Sequence, residues 1–134
     1  MILDAPSLDL SDVESKIAGL LAAPLDAVAN VQRACEHFGF VLENVLRLLP
    51  GNQPARYWDL DDISCDSANR TGDVVTLQGT CDWLSGSEDC DRFRIDIALG
   101  QEPLLFAYKF TNSATGKQLL YVGKTPEGWL INGP

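Results

Sequence analysis

The sequence is short of basic residues. Only 10 Lys and Arg stand against 19 Asp and Glu, which gives a net charge of −9. Such a field repels nucleic-acid phosphates and anionic membrane surfaces and attracts basic molecules, so neither a nucleic acid nor a membrane is expected as a partner. Residues 1–12 also lack the basic segment and the long apolar run of a signal peptide or a membrane span. These absences predict a cytoplasmic protein.

Residues that commonly perform catalysis are few. The single histidine, His37, falls on the polar side of a predicted helix, and no two of the four cysteines have the short spacing of a zinc site. Cys35 and Cys81 fall on apolar faces, whereas neighbouring Asp residues should raise the thiol pKa of Cys65 and Cys90. We therefore predict a protein that is not an enzyme, with no catalytic residue, no metal site and no cofactor.

Disulfide bonds are not required for folding, because a chain of 134 residues buries roughly two thirds of its unfolded surface. Cys81 and Cys90 flank a predicted hairpin loop and are the pair that could form a disulfide. The sequence does not decide whether they do.

Helical spacing dominates residues 11–49. Ser11 and Glu14 have the spacing of a capping box, and this first helix is expected to stop near Ala22. A second helix is expected to begin at Pro24 and to end before Pro50. Its apolar stripe comprises Val28, Val31, Cys35, Phe38, Leu42, Val45 and Leu49. The phase continues through Gly39, which is predicted to be a weak point or a place of close approach and not a break.

Alternation of apolar and polar residues replaces the helical period in residues 56–132. The predicted strands are 57–65, 74–83, 92–99, 104–111, 118–124 and 129–131. The predicted inward faces of the second and third strands carry Val75, Leu77, Cys81 and Trp83, and Phe93, Ile95, Ile97 and Leu99. Residues 125–128 are predicted to form a tight turn.

These elements predict one α+β domain spanning residues 1–134. The long amphipathic helix is the one element that can cover the apolar face of a curved antiparallel meander of about five or six strands. Such an arrangement resembles the cystatin-like and NTF2-like folds in architecture, although no residue motif carries the comparison. The helix stripe has a second interpretation, a coiled-coil dimer, but coiled coils need more heptads and flanking charge pairs.

Negative charge is concentrated between residues 59 and 102, where eleven acidic residues and three arginines give −8. The run from Asp59 to Asp66 could supply oxygen ligands to calcium, but it lacks the glycine and glutamate of an EF-hand. Aromatic residues among carboxylates also suit an interface with a basic partner. The predicted partner-binding residues are Trp58, Asp59, Asp61, Asp62, Asp66, Asp82, Trp83, Glu88, Asp89 and Asp91. Alternatively, both tryptophans belong to the core and the carboxylates serve solubility.

The leading functional hypothesis is a bacterial immunity protein that neutralises a basic, nuclease-like toxin. The alternative is a small-molecule-binding domain or enzyme with an apolar pocket between helix and sheet, near Tyr57, Tyr108 and Tyr121. An interior filled by phenylalanines would exclude that pocket. A homo-oligomeric module is a third hypothesis, and the sequence leaves the oligomeric state open.

Overall fold

The computed structural model describes residues 2–3, 11–22, 28–47, 60–83, 90–100 and 104–132. Two helices, α1 (Ser11–Ala22) and α2 (Val28–Arg47), pack on an antiparallel sheet. The strands are β1 (Ile2–Leu3), β2 (Leu60–Thr71), β3 (Val74–Trp83), β4 (Arg92–Ala98), β5 (Leu105–Thr111), β6 (Gln118–Thr125) and β7 (Gly128–Asn132). The predicted α+β class is confirmed.

The sheet is an open meander in which β2 to β7 follow one another as neighbours. The two-residue β1 adds a further strand beside β7, with Ile2 opposite Leu130. Sequence patterns cannot detect a strand so short, because two residues show no alternation. β2 and β1 form the two edges of this sheet.

β2 differs most from its prediction. It was expected at residues 57–65, but the strand runs from Leu60 to Thr71, and residues 57–59 lie outside the described part. Its second half was missed because Asp66 to Thr71 contains no large apolar residue. A bulge between Cys65 and Ser67 also interrupts the pairing with β3 and resets the alternation there.

The core lies between α2 and the inner face of the sheet. The predicted α2 stripe is buried from Val31 through Val45, and the predicted inward residues of β3 are buried as well. Val28 is a correction, since 74% of its surface is exposed and it contributes nothing to the core. The predicted end of the stripe at Leu49 lies outside the described residues.

Aromatic rings hold α2 on the centre of the sheet. Phe38 of α2 packs edge-on against Phe106 of β5, with ring centroids 5.0 Å apart, and within the sheet Trp83 of β3 packs in the same way against Phe110 of β5 at 5.2 Å. The fully buried Tyr108 donates its hydroxyl hydrogen to the carbonyl of Phe38 at 2.7 Å. Burial raises the pKa of this hydroxyl well above its ordinary value, so it stays a neutral donor.

α1 extends the helical layer beside α2. Its apolar residues Ile17 and Leu21 are fully buried, and Glu14 forms an ion pair with Lys124 of β6. Within the described chain, neither helix is long and apolar enough to cross a membrane.

Gly79 is the one place where β3 requires the absence of a side chain. It lies on the inner face, with Cys65 of β2 and Phe93 of β4 on either side. A Cβ at this position would lie 1.9 Å from the Ser64 carbonyl oxygen and 2.8 Å from the ring of Phe93. Because backbone cannot move aside as a flexible side chain can, any larger residue must distort the ladder.

We predict that Gly79→Ala lowers the free energy of unfolding by about 2 kcal/mol or more, the typical cost of overpacking. Gly19→Ala is the matched control, because no atom lies within 4 Å of its added Cβ on the exposed side of α1. Alanine there should stabilise the protein by about 0.5 kcal/mol through helix propensity. Urea unfolding measures both; equal effects of the two substitutions would contradict the packing described for Gly79.

Candidate functional site, an acidic groove between α2 and β2

A surface groove of about 210 Å³ lies between α2 and the beginning of β2. It is called the acidic groove here, and its lining residues are Glu36, Gly39, Phe40, Glu43, Leu60, Asp61, Asp62 and Ile63. One wall is a helix face and the other is the start of an edge strand. Residues at positions i, i+3, i+4 and i+7 of a helix share a face, which brings the four α2 residues together.

The base of the acidic groove is set by a close approach of helix and strand. A Cβ on Gly39 would lie 3.1 Å from Cγ2 of Ile63 and 3.5 Å from Cδ2 of Leu60. Both of those apolar side chains are buried. The predicted close approach at Gly39 is therefore found, and α2 continues through it without a break.

Gln32 fixes β2 to α2. Its amide nitrogen donates to the Ile63 carbonyl at 3.1 Å, and its amide oxygen accepts from the Cys65 backbone N–H at 2.8 Å. The side chain thus substitutes for a neighbouring strand on the outer edge of β2. Further along the same strand, Arg70 donates to the Leu21 carbonyl at the end of α1 at 2.6 Å. These bonds hold the strand wall of the groove in position.

The electrostatics of the groove are one-sided. Its carboxylates belong to Glu36, Glu43, Asp61 and Asp62, and no described Lys or Arg forms an ion pair with any of them. Between them stands Phe40, 57% of whose surface is exposed. An exposed aromatic ring with carboxylates around it can receive a cation through both ring and charge.

A fifth carboxylate adds to this field from β3. Asp82 is directly opposite Asp62 in the antiparallel ladder, and both side chains are exposed. Like charges at opposed positions of neighbouring strands destabilise a sheet. The pair of Asp62 and Asp82 is therefore expected to lower the stability of the sheet.

The structure divides the predicted partner-binding residues into groups. Asp61 and Asp62 line the acidic groove and Asp82 lies beside it. Asp66 instead forms an ion pair with Arg92 at 3.0 Å. Four predicted members lie outside the described residues: Trp58, Asp59, Glu88 and Asp89.

The two remaining members, Trp83 and Asp91, contribute to the fold. Trp83 is only 7% exposed, and its indole N–H donates to the Cys90 carbonyl at 2.8 Å. Trp83 is therefore a core residue, which was the alternative to a place in the interface. Asp91 accepts hydrogen bonds from the hydroxyl and backbone N–H of Ser113, and these hold the pKa of its carboxyl below the ordinary value. Its main visible role is to organise the turn after β5.

The helical half of the groove was not predicted from the sequence. Glu36, Phe40 and Glu43 were not among the predicted site residues. The signal was present as the spacing i, i+4, i+7, which puts two carboxylates on either side of an aromatic ring. Finding it requires the knowledge that this helix face borders the start of β2.

The described interior between α2 and the sheet is filled. Phe38, Phe106 and Phe110 are each at most 3% exposed and their rings are in contact with their neighbours. A filled interior of this kind speaks against an apolar ligand pocket in the described part of the protein. Of the tyrosines proposed to line it, Tyr108 is a core residue and Tyr57 lies outside the described part.

All four cysteines lie in described residues, and the structure contains no disulfide between them. Cys81 and Cys90 are both buried, and the Cys81 thiol donates to the Cys90 carbonyl at 3.3 Å. Burial raises the pKa of Cys81 to about 12. The pKa of Cys65 is lowered, which corrects the sequence-based expectation: a hydrogen bond from the Cys35 thiol outweighs the burial and the nearby Asp66 charge.

No three His, Cys, Asp or Glu side chains within the described ranges are placed to hold a metal ion together. A comparison with protein-family models gives no match, and neither do comparisons with curated proteins and with solved structures.

We predict that Gln32→Met, which keeps the shape of the side chain, lowers the free energy of unfolding by about 1 to 3 kcal/mol because Ile63 and Cys65 lose their partners. Hydrogen exchange at the Cys65 amide should accelerate at least tenfold. Gln118→Met on the exposed end of β6 serves as the control and should change neither quantity. Unaltered protection at Cys65 would contradict the role of Gln32.

We also predict that Asp82→Asn raises the free energy of unfolding by about 0.5 kcal/mol, because it removes the repulsion with Asp62. The gain should shrink as salt is added, since exposed charges are screened. Asp96→Asn is the opposite control, because Asp96 accepts from Thr76 and forms an ion pair with Arg94. A destabilising Asp82→Asn would show that the two carboxylates do not repel each other.

Proposed function

We propose that the protein is a non-enzymatic binding module whose acidic groove receives a basic side chain of a protein partner. In its most specific form, the proposal is a bacterial immunity protein that binds and neutralises a basic, nuclease-like toxin. The observation that carries it is the set of carboxylates around the exposed ring of Phe40, none of which forms an ion pair with a described Lys or Arg.

The shape of the groove suits one long basic side chain. Its volume of about 210 Å³ is small for a drug-sized ligand, for which pockets of roughly 300 to 1,000 Å³ are typical. A guanidinium or ammonium group in it would lie over the face of Phe40 and between Glu36 on the helix and Asp62 on the strand. Such a group gains from the ring and from charge-assisted hydrogen bonds together.

The distribution of charge supports a macromolecular partner. With a net charge of −9, the whole chain attracts a basic protein over a distance, while the groove supplies the local contacts. A nuclease must itself carry positive charge where phosphates bind, so carboxylates presented by an inhibitor can occupy that place. Asp62 and Asp82 are opposite each other although like charges repel. Such an arrangement suits a surface on which binding is favoured over stability.

The small-molecule alternative, with a cystatin-like or NTF2-like architecture around an apolar pocket, has less support. The described interior is occupied by the rings of Phe38, Phe106 and Phe110. No particular observation favours this second function.

We predict that Glu36→Gln combined with Asp62→Asn weakens partner binding at least tenfold, because two charge-assisted contacts are lost. Asp73→Asn combined with Glu127→Gln is the matched control, since it removes the same charge from exposed turns away from the groove. The partner is first captured from native lysate with the wild-type chain, and dissociation constants are then measured for all three proteins at increasing salt.

The expected result is a basic partner, affinity that falls with salt, and a loss confined to the groove variant. The captured protein should cleave nucleic acid, and the wild-type chain should suppress that cleavage. A neutral or acidic partner whose binding is insensitive to salt would refute the proposal.

A further inference from the structure

The outer face of the sheet, which is turned away from α2, carries a small group of basic residues in an otherwise acidic chain. Arg94 of β4 and Lys109 of β5 are directly opposite each other in the antiparallel ladder. Tyr121 of β6 is the next residue in the same row, opposite Lys109. All three alternate with the buried residues of their strands, so their side chains share the outer face.

We propose that Arg94, Lys109 and Tyr121 form a binding site for the carboxylate of an aromatic acid. The site is independent of the proposed function, because it lies on the face of the sheet opposite to α2 and shares no residue with the acidic groove.

Asp96 holds the two basic side chains together. Its Oδ2 accepts a hydrogen bond from Nε of Arg94 at 3.1 Å and lies 3.7 Å from Nζ of Lys109. Its Oδ1 accepts a hydrogen bond from the Thr76 hydroxyl at 2.7 Å. Asp96 thus connects side chains of three adjacent strands, and both basic groups are fixed beside one oxygen atom.

Arg94 presents its free edge to solvent. Its hydrogen bonds to Asp96 both come from Nε, and its two terminal nitrogens have no hydrogen-bond partner among the described residues. About half of the side chain, 51%, is exposed. The terminal nitrogens of a guanidinium form a planar fork that matches the two oxygens of a carboxylate. A carboxylate can therefore bind Arg94 on the edge that faces away from Asp96.

The local charge favours a ligand with a single negative charge. Two basic groups and one carboxylate, those of Arg94, Lys109 and Asp96, leave one positive charge uncompensated within this cluster. Like charges at opposed positions of neighbouring strands repel, and Asp96 alone offsets this repulsion only in part. A ligand carboxylate supplies the missing charge, whereas a phosphate dianion would place an excess of negative charge beside Asp96.

Tyr121 adds a flat apolar surface beside these donors. A Cβ on Gly123 would lie 2.8 Å from the hydroxyl oxygen of Tyr121 and 2.9 Å from its Cε1, so the ring lies along the strand over Gly123. Ala107 stands opposite Gly123 and next to Asp96 in the same row, so no large side chain separates the ring from the basic pair. An aromatic ring that is attached to the bound carboxylate can stack on Tyr121.

The test titrates the isotopically labelled full-length chain with benzoate and follows the backbone amides by NMR. We expect saturable shifts centred on Arg94, Ala107, Lys109 and Tyr121, with a dissociation constant on the order of 1 to 10 mM for so small a ligand. Acetate lacks the ring and should bind several-fold more weakly. Phenyl phosphate, which is mostly a dianion at pH 7, should also bind more weakly than benzoate.

Two double variants separate the site from the general charge of the protein. Arg94→Gln combined with Lys109→Gln should weaken benzoate binding at least tenfold, because both charged donors are lost. Lys16→Gln combined with Lys117→Gln is the matched control, since it removes the same charge from exposed positions on α1 and on the turn after β5. This control should bind benzoate as the wild-type chain does.

Tyr121→Leu covers the case in which the loss of both basic residues disturbs the sheet. It should remove the preference for benzoate over acetate while leaving acetate binding in place. Shifts scattered over the chain, a titration that does not saturate, or an equal loss in the control variant would overturn the proposal. Tighter binding of phenyl phosphate than of benzoate would overturn it as well, because the site would then suit a dianion.

Discussion

The close contact between α2 and β2 at Gly39 is the constraint on which the site depends. Because Gly39 has no side chain, the helix lies directly against Ile63. The apolar face of α2 then covers the sheet, while Phe40 on another face of the helix stays exposed. Gln32, Cys35 and Gly39 follow one another along the same edge of the helix at positions i, i+3 and i+7. The bonds from Gln32 to β2 and the base of the acidic groove are therefore consequences of one line of contact.

Elements with a long, regular pattern could be predicted from the sequence, and elements fixed by distant partners could not. The stripe of α2 and the alternation of β3 each repeat over enough residues to identify the buried face. The second half of β2 has no such repeat, because Asp66 to Thr71 contains no large apolar residue, and Arg70 in this half donates to the Leu21 carbonyl at the end of α1. That information lies more than thirty residues away along the chain.

Only the strand side of the candidate site was predicted from the sequence, for a similar reason. Counting charges along the chain identifies Asp61 and Asp62. It does not show that Glu36, about 25 residues earlier, lines the same groove. The same count includes Asp66, whose charge is compensated by Arg92. Net charge is the reason for proposing a basic partner, whereas the folded arrangement determines which carboxylates are left without an ion pair among the described residues.

Cys65 shows why counting charges also fails for reactivity. The neighbouring Asp66 does raise the pKa of this thiol, but Asp66 is exposed and paired with Arg92, and a charge at about 4 Å in water contributes only about 1 kcal/mol. Hydrogen bonding acts at shorter range, and the largest influence on the pKa of Cys65 is the one from Cys35, which lowers it. Short-range hydrogen bonding therefore prevails over the charge of the nearby carboxylate.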